Sequence, residues 1–195
     1  MASNIIVPRT EIETRIVSNP EFQESIGFIH NPEIPETINA HICNCLDYTD
    51  FLQIQEHTEQ LRLLALLHDF GKFKTRSDEN GKLISLPSAK ISRQFAEQFI
   101  TDHNLLKIIG FHDRHIDFYE SALHGNFDAQ EFSKYYVFSY VNLELLTLFG
   151  YVDSCEGNRE AIKWLDDTLY KSDVSKNIVH KKYPKALVLL KDVNK

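Results

Sequence analysis

The stretch Leu63-Leu64-Ala65-Leu66-Leu67-His68-Asp69-Phe70-Gly71-Lys72 carries the strongest structural signal in this chain. An apolar run leads directly into a histidine and an aspartate, and a glycine and a lysine follow shortly after. Burying polar or charged side chains is costly unless a partner satisfies them. Because imidazole and carboxylate are both common metal ligands, a divalent metal is the most economical partner. We therefore expect His68 and Asp69 to bind a metal where a core segment ends.

The composition is typical of a soluble protein with one domain. The 195 residues are 43% hydrophobic and 25% charged, which suffices for a substantial core. The net charge of −7 argues against a broad nucleic-acid or anionic-membrane surface. Cys43, Cys45 and Cys155 contain no C-x-x-C pair, which favours reduced thiols. With no secretory signal and no membrane-spanning apolar run, a cytoplasmic location is expected.

The spacing of the apolar residues predicts an all-α bundle, with no strand pair joined by a two-residue hairpin. Gly110 is expected to end one short helix, Thr75 to Lys82 to form a loop, and residues 116–127 are ambiguous. The segments predicted as helical are Pro35 to Leu46, His57 to Phe70, Pro87 to Phe99, Leu105 to Ile109, Phe132 to Tyr140, Val141 to Val152, Glu160 to Tyr170 and Tyr183 to Val193.

Four polar residues lie in segments whose neighbours are apolar enough to be buried: His41, His68, Asp69 and Asp153. Taken alone, His41 is more typical of a core or surface histidine, and Asp153 of a local cap or pair. Together, two imidazoles and two carboxylates from three helices can converge on one cation and leave positions for water and substrate. Such a cation lowers the pKa of a bound water and polarises a phosphoryl oxygen, which is the chemistry of phosphoester hydrolysis.

Gly71 and Lys72 extend this pattern. Lys72 follows His68 by four residues and faces the same side if the helix continues. A lysine there can hold a phosphate as a point charge, although a lone lysine in a last helical turn is usually solvated. Gly71 allows a substrate or a neighbouring helix to come close.

These residues resemble the HD-domain metal-dependent phosphohydrolase superfamily, whose pattern is a histidine, a later histidine-aspartate pair and a distant aspartate. The resemblance covers about residues 34–155 and implies a single-domain helical bundle. Residues 1–33 are then an N-terminal extension packed on the core, and residues 156–195 are helices that complete the domain. The segment after the pair is most similar to the HD domain of bacterial CCA-adding tRNA nucleotidyltransferases. Too little chain precedes it for a nucleotidyltransferase domain, so a stand-alone HD domain is expected.

One position departs from the pattern of the two-metal members of the superfamily. Those members have an extra histidine at the start of the helix after the loop, where this sequence has Ser88. The resemblance therefore implies one metal. His112 matches the family's other accessory histidine, with His115 one turn further on, and we expect His112 to contact substrate or a metal-bound water rather than a second metal. Lys90, close to Ser88, is a candidate to supply positive charge in place of a second metal.

The resemblance implies a phosphomonoesterase or cyclic phosphodiesterase that hydrolyses a nucleotide or another small phosphoester with metal-activated water. The cofactor would be one divalent ion of manganese, iron, nickel, cobalt, zinc or magnesium. No glutamate one turn after the pair is available as a general base, because Lys72 holds that place, so Asp69 is expected to orient the water. The residues predicted to act on substrate are Asp69, Lys72, His112, Arg114, His115, Arg76 and Lys90.

Two other classes of protein remain open. One is a non-catalytic metal- or nucleotide-binding module that regulates a partner, and the other is an interaction protein with a structural metal. The acidic charge makes an extended nucleic acid a less suitable substrate than a mononucleotide. The sequence leaves the oligomeric state open.

Overall fold

The computed structural model describes residues 5–31, 36–75, 88–136, 141–154, 159–171 and 182–189. Within these ranges nearly all of the regular secondary structure is helical, which confirms the predicted all-α fold. None of the helices in these ranges is both long and apolar enough to cross a membrane. In chain order the helices are α1 (Glu11–Val17), α2 (Pro20–Ser25), α3 (Ile38–Leu52), α4 (Thr58–Leu67), α5 (Phe70–Thr75), α6 (Ser88–Ala96), α7 (His103–Phe111), α8 (Arg114–Leu123), α9 (Ala129–Tyr136), α10 (Leu143–Asp153), α11 (Arg159–Lys171) and α12 (Pro184–Leu189).

A short pair of strands that the sequence did not indicate precedes α3. β1 (Ile29–Asn31) and β2 (Glu36–Thr37) are antiparallel. Thr37 then caps α3, because its Oγ1 accepts a hydrogen bond from the Ala40 N–H at 3.1 Å. This cap makes α3 begin just after Thr37 rather than near Pro35, which lies outside the described residues.

The predicted single helix from His57 to Phe70 is two helices, α4 and α5, with a turn between them at His68 and Asp69. The Lys72 N–H donates to the Asp69 carbonyl at 3.0 Å, a three-residue separation that makes a tighter turn than an α-helix. Both polar residues therefore lie at a helix junction, and both are buried, with relative exposures of 0% and 1%.

Two further helix ends differ from the predictions. The helix predicted to continue to Phe99 ends at Ala96, and the Phe99 N–H bonds to the Ala96 carbonyl three residues earlier. Helix α7 does not end at Gly110 but continues to Phe111. A Cβ at Gly110 would lie 3.5 Å from Cδ of Arg93, an ordinary van der Waals distance, so the packing of α7 against α6 does not require this glycine.

The remaining predictions concern residues 116–127 and segments that lie partly outside the described residues. The ambiguous residues 116–127 contain most of α8, and a turn with Gly125 at φ 73° follows. Most of the predicted loop at Thr75 to Lys82 lies outside the described residues, as do the last parts of the helices predicted at Phe132 to Tyr140 and Tyr183 to Val193.

Buried apolar side chains from α1 to α12 form one contiguous core. Helix α10 packs against α3, α4 and α11, while α6 packs against both α5 and α7. Leu61, Leu64 and Leu67 of α4 are completely buried, so the end of α4 lies deep in the bundle. The α4–α5 junction therefore places its polar side chains in the interior, where they need partners.

Gly71 brings α5 against the beginning of α6. Its N–H donates to Oγ of Ser92 at 2.8 Å. A Cβ at Gly71 would lie only 1.9 Å from the carbonyl oxygen of Ser88. Of the two explanations that the sequence allowed, close approach of a neighbouring helix is the one that the structure supports.

We expect Gly71→Ala to destabilise the protein by about 3 kcal/mol, because a backbone carbonyl cannot rotate away from the added methyl group. Urea denaturation followed by circular dichroism measures this free energy of unfolding. Gly27→Ala is the matched control, since a Cβ there would meet its nearest neighbour, the carbonyl oxygen of Glu24, at an ordinary 3.8 Å. Equal stability of the two variants would contradict the close packing of α5 on α6.

Candidate metal centre

Four side chains from three parts of the chain meet in the core: His41 of α3, His68 and Asp69 at the α4–α5 junction, and Asp153 at the end of α10. One ligand atom of each lies within 4.8 Å of the others. The first three residues are at most 3% exposed. We call these four residues the His/Asp cluster. They are the same four that the sequence predicted to converge.

The separations between the ligand atoms match the coordination shell of one ion. Nε2 of His41 lies 2.9 Å from Oδ1 of Asp153 and 3.2 Å from Nε2 of His68. Nε2 of His68 is in turn 3.2 Å from Oδ2 of Asp69 and from Oδ1 of Asp153. Ligands held about 2.1 Å from a common ion lie about 3.0–3.4 Å apart in octahedral or tetrahedral geometry. The cluster therefore fits one divalent cation.

The orientation of the His68 ring supports the same conclusion. Nδ1 of His68 lies 3.1 Å from the carbonyl oxygen of Leu64 and 3.2 Å from that of Ala65. With its Nδ1–H donating to these carbonyls, the neutral ring directs the lone pair of Nε2 into the cluster. Phe149 contacts the ring edge-to-face, with centroids 5.0 Å apart, and holds it in place.

In the absence of a cation, protons balance the buried carboxylates. Burial by itself lowers the pKa of His68. The charges of Asp69 and Asp153 raise it by more than burial lowers it, so the pKa is about 10. Burial by itself raises the pKa of Asp153, but His68 and His41 hold it well below its usual range. A cation that binds here therefore replaces the proton on His68.

The donor set limits the identity of the ion. Imidazole nitrogens and carboxylate oxygens suit manganese, iron, cobalt, nickel, zinc or magnesium. Sγ of Cys45 lies 3.6 Å from Nε2 of His41, but it does not belong to the group of mutually close ligand atoms. Cys43 and Cys45 are buried free thiols, as expected, and Cys155 lies outside the described residues.

Lys72 reaches the cluster despite the break between α4 and α5. Its Nζ lies 2.9 Å from Oδ2 of Asp69, and its side chain is 27% exposed. Burial by itself lowers the pKa of Lys72, but the charge of Asp69 raises it above its usual value. Lys72 is therefore charged, and its side chain is partly exposed at the edge of the candidate metal centre.

Two buried histidines lie at the α7–α8 corner, and one of them, His112, adjoins the cluster. Nδ1 of His112 lies 2.8 Å from the carbonyl oxygen of Ile109, and Nδ1 of His115 lies 2.7 Å from that of His112. Their Nε2 atoms are buried, and within the described residues neither makes a hydrogen bond of good geometry. Nε2 of His112 is 3.6 Å from Oδ1 of Asp69. Of the two, His112 therefore lies at the edge of the candidate centre.

The environments of these two histidines shift their pKa values in opposite directions. Burial by itself lowers the pKa of His112, but Asp113 and Asp69 raise it above its usual value. Burial lowers the pKa of His115, and the carboxylates of Asp153 and Asp113 offset only part of this effect.

Two of the other predicted substrate residues, Arg114 and Lys90, lie away from the cluster. The guanidinium of Arg114 is held by Asp117 at 2.8 Å and lies over the ring of Tyr135 at 4.6 Å. Lys90 is exposed and lines a cavity beside the α7–α8 corner. Arg76 lies outside the described residues.

Asp113, which is not among the residues predicted from the sequence, also lies at this corner. Its Oδ1 lies 3.2 Å from Nε2 of His112. Ligand atoms of His112, Asp113 and Asp153 lie within 4.8 Å of one another, so these residues form a second group that can hold an ion. The signal was present, because His112-Asp113 follows the apolar segment Leu105 to Ile109 much as His68-Asp69 follows its leucine run.

A third group of potential ligands lies elsewhere on the surface. Glu56, His57 and Glu144 are close together, but Lys182 pairs with Glu144 at 2.7 Å and the Tyr183 hydroxyl bonds to both glutamates. The lysine already supplies a positive charge there. We therefore assign the candidate metal centre to the buried His/Asp cluster.

Comparison with protein-family models matches residues 22–135 to the HD domain. Because the match covers more than half of the chain, the protein belongs to the HD domain family. HD domains are generally metal-dependent hydrolases of the phosphohydrolase superfamily, which agrees with a cluster of histidines and aspartates that can hold a metal. The match ends before α10, so the position of Asp153 rests on the geometry of the cluster. Searches of curated proteins and of solved structures found no match.

Proposed function

We propose that this protein hydrolyses a small phosphoester, a phosphomonoester or a cyclic phosphodiester of a nucleotide or a similar compound. The observation that carries the proposal is the buried His/Asp cluster with a charged lysine at its edge. A divalent cation bound to the cluster supplies a water of lowered pKa and positive charge for a phosphoryl oxygen. Membership of the HD domain family supports this chemistry.

The chain itself provides groups that hold and orient the phosphate. Lys72 presents an ammonium group to an anion, and its ion pair with Asp69 fixes its position. His112 contributes its Nε2 atom on another side of the cluster, 3.6 Å from Oδ1 of Asp69. Asp69 has two oxygens, of which Oδ2 faces His68 and Oδ1 faces His112. This arrangement supports a role for Asp69 in orienting water as well as in binding the cation.

We infer that one ion is sufficient. The position where two-metal relatives have an additional histidine is Ser88, the first residue of α6. Its carbonyl group lies against Gly71, so the beginning of α6 is committed to helix packing. The second group, around His112 and Asp113, then serves to contact the substrate.

The proposed substrate is small and the proposed location is the cytoplasm. A net charge of −7 repels the backbone of a long nucleic acid, whereas the local charge of Lys72 attracts a single phosphate.

A panel of phosphoesters tests the proposal. p-Nitrophenyl phosphate, bis(p-nitrophenyl) phosphate, nucleoside monophosphates and cyclic nucleotides are each incubated with protein that is stripped of metal and then loaded with one divalent cation. We expect turnover of at least one ester with at least one of the six candidate metals, and loss of turnover when a chelator is added.

Two outcomes would contradict the proposal. Turnover that persists after complete chelation would place the chemistry elsewhere. Tight binding of nucleotides without turnover by any metal-loaded form would indicate the regulatory module instead, for which the His/Asp cluster and Lys72 suffice as a binding site.

A further inference from the structure

A cavity of about 310 Å³ lies beside the candidate metal centre. It is bounded by the beginning of α6, the α7–α8 corner and the end of α9, and its walls include Lys90, Phe111, Asp113, Arg114, Asp117 and Tyr135. We call it the α6–α9 cavity. Its volume is at the small end of the range of about 300–1,000 Å³ that is typical of small-molecule sites. It is large enough for one compact organic group and too small for a nucleic-acid chain.

Asp113 joins this cavity to the candidate metal centre. It lines the cavity, its Oδ1 is 3.2 Å from Nε2 of His112, and it has a ligand atom within 4.8 Å of one of Asp153. A phosphoester whose phosphate lies at the centre therefore has the cavity directly beside it. The part of the ester that would extend there is the alcohol to which the phosphate is attached.

The charges of the cavity are balanced. Lys90 and Arg114 contribute two positive charges, and Asp113 and Asp117 contribute two negative charges. The guanidinium of Arg114 is 2.8 Å from Asp117, so its charge is already neutralised locally. The pairing of Arg114 with Asp117 leaves Lys90 and Asp113, whose charges are opposite, so the lining has no net positive charge with which to bind further phosphate groups.

The aromatic wall of the cavity is rigid. The rings of Phe111 and Tyr135 meet edge-to-face, with centroids 5.4 Å apart. The guanidinium of Arg114 lies 4.6 Å from the centroid of the Tyr135 ring. Nη2 of Arg114 donates a hydrogen bond to Oε1 of Glu131 at 3.4 Å. A wall of fixed rings and a planar guanidinium favours a ligand that itself contains a planar ring.

We propose that the α6–α9 cavity binds the alcohol part of a substrate that carries a single phosphate, and that this alcohol is an uncharged group with a planar ring, such as a nucleoside. This inference rests on the proposed function for the position of the phosphate. It assigns selectivity for the ring to Tyr135, and selectivity against diphosphate and triphosphate esters to a lining that has no net positive charge.

The test compares kcat/KM for the nucleoside 5′-monophosphates of the common bases with kcat/KM for glycerol 3-phosphate, which has no ring, and for nucleoside 5′-triphosphates. We expect the best monophosphate to exceed glycerol 3-phosphate and its own triphosphate by at least about tenfold. Tyr135→Leu is expected to lower the ratio of the nucleotide to glycerol 3-phosphate by about tenfold, a typical effect of losing an aromatic stacking partner. Tyr135→Phe retains the ring and should retain the ratio.

Tyr119→Leu is the matched control, because Tyr119 bonds to Glu160 on the surface and does not line the cavity. Calorimetric titration of metal-loaded protein with a nucleoside monophosphate and with inorganic phosphate gives a second readout that needs no turnover. The inference predicts tighter binding of the nucleotide, and loss of that advantage in Tyr135→Leu.

The outcomes separate this inference from the proposed function. Hydrolysis with no preference for a ring, or with a preference for triphosphates, would overturn the assignment of the cavity and leave the phosphohydrolase intact. Absence of hydrolysis together with Tyr135-dependent nucleotide binding would retain the cavity and overturn the enzyme. Absence of both hydrolysis and binding would overturn both.

Discussion

Replacing Asp69 by alanine is expected to abolish metal binding and to lower kcat/KM by about 1,000-fold or more. Asp69 is 1% exposed and its Oδ2 lies 3.2 Å from Nε2 of His68. Removing it deletes one of two carboxylates that offset the charge of the cation. A bound metal contributes several kcal/mol of charge stabilisation, and each 1.36 kcal/mol is a factor of ten in rate. Metal content after dialysis, measured by mass spectrometry, and turnover of the best ester check this result.

Loss of metal from an Asp69 variant must be distinguished from unfolding of that variant. Asp69→Ala also leaves Lys72 without its partner at 2.9 Å, so it will change stability. Asp69→Asn keeps the size of the side chain and removes its charge, and circular dichroism reports whether each variant is folded. Asp47→Ala, on the exposed side of α3, should retain metal and activity. A folded Asp69→Asn variant with full metal content and full turnover would refute the assignment of the cluster.

The parts of the site that could be predicted from sequence are those with a local signal. His68-Asp69 follows an apolar run, and costly polar groups at the end of such a run need a partner wherever the rest of the chain lies. His41 shares a helical face with Ile38 and Cys45, which are buried, so its direction was set by helical periodicity. The all-α fold was predictable for the same reason, because the apolar spacing repeats along most of the chain.

The parts that could not be predicted depend on contacts between distant segments. The break after α4 accompanies the close contact of Gly71 with Ser88, 17 residues later, which no local pattern indicates. Arg114 directly follows His112 and Asp113 in the sequence. Its guanidinium nevertheless lies over the ring of Tyr135, where Asp117 and Glu131 of another helix hold it. A helical position fixes the face of a residue, and only the packed neighbours fix where a long side chain ends.

Metal affinity is expected to increase with pH, by about 100-fold between pH 6 and pH 8. Asp69 and Asp153 outweigh burial and raise the pKa of His68 to about 10, so the metal-free protein carries a proton on this ring throughout that range. A ligand imidazole must be neutral, so binding releases this proton, and the release of one proton changes affinity tenfold per pH unit. Competition with a chromophoric chelator at pH 6, 7 and 8 measures the affinity. Calorimetry in two buffers of different ionisation enthalpy counts the protons released.

The stability of the metal-free protein should change in the opposite direction. The pKa of His68 is higher in the folded chain than its value of about 6.5 in the unfolded chain. The stability that charged His68 contributes is therefore complete below about pH 6.5 and is lost as the pH rises towards 10. Because binding strengthens over the same interval, the increase in Tm caused by a fixed excess of metal should be larger at pH 8 than at pH 6.

The His57→Gln variant is the control, because the ring of His57 lies outside the His/Asp cluster. Its metal affinity should increase with pH as steeply as that of the unchanged protein. A metal affinity independent of pH would show that His68 is already neutral in the metal-free protein, and the buried carboxylates would then need another source of positive charge.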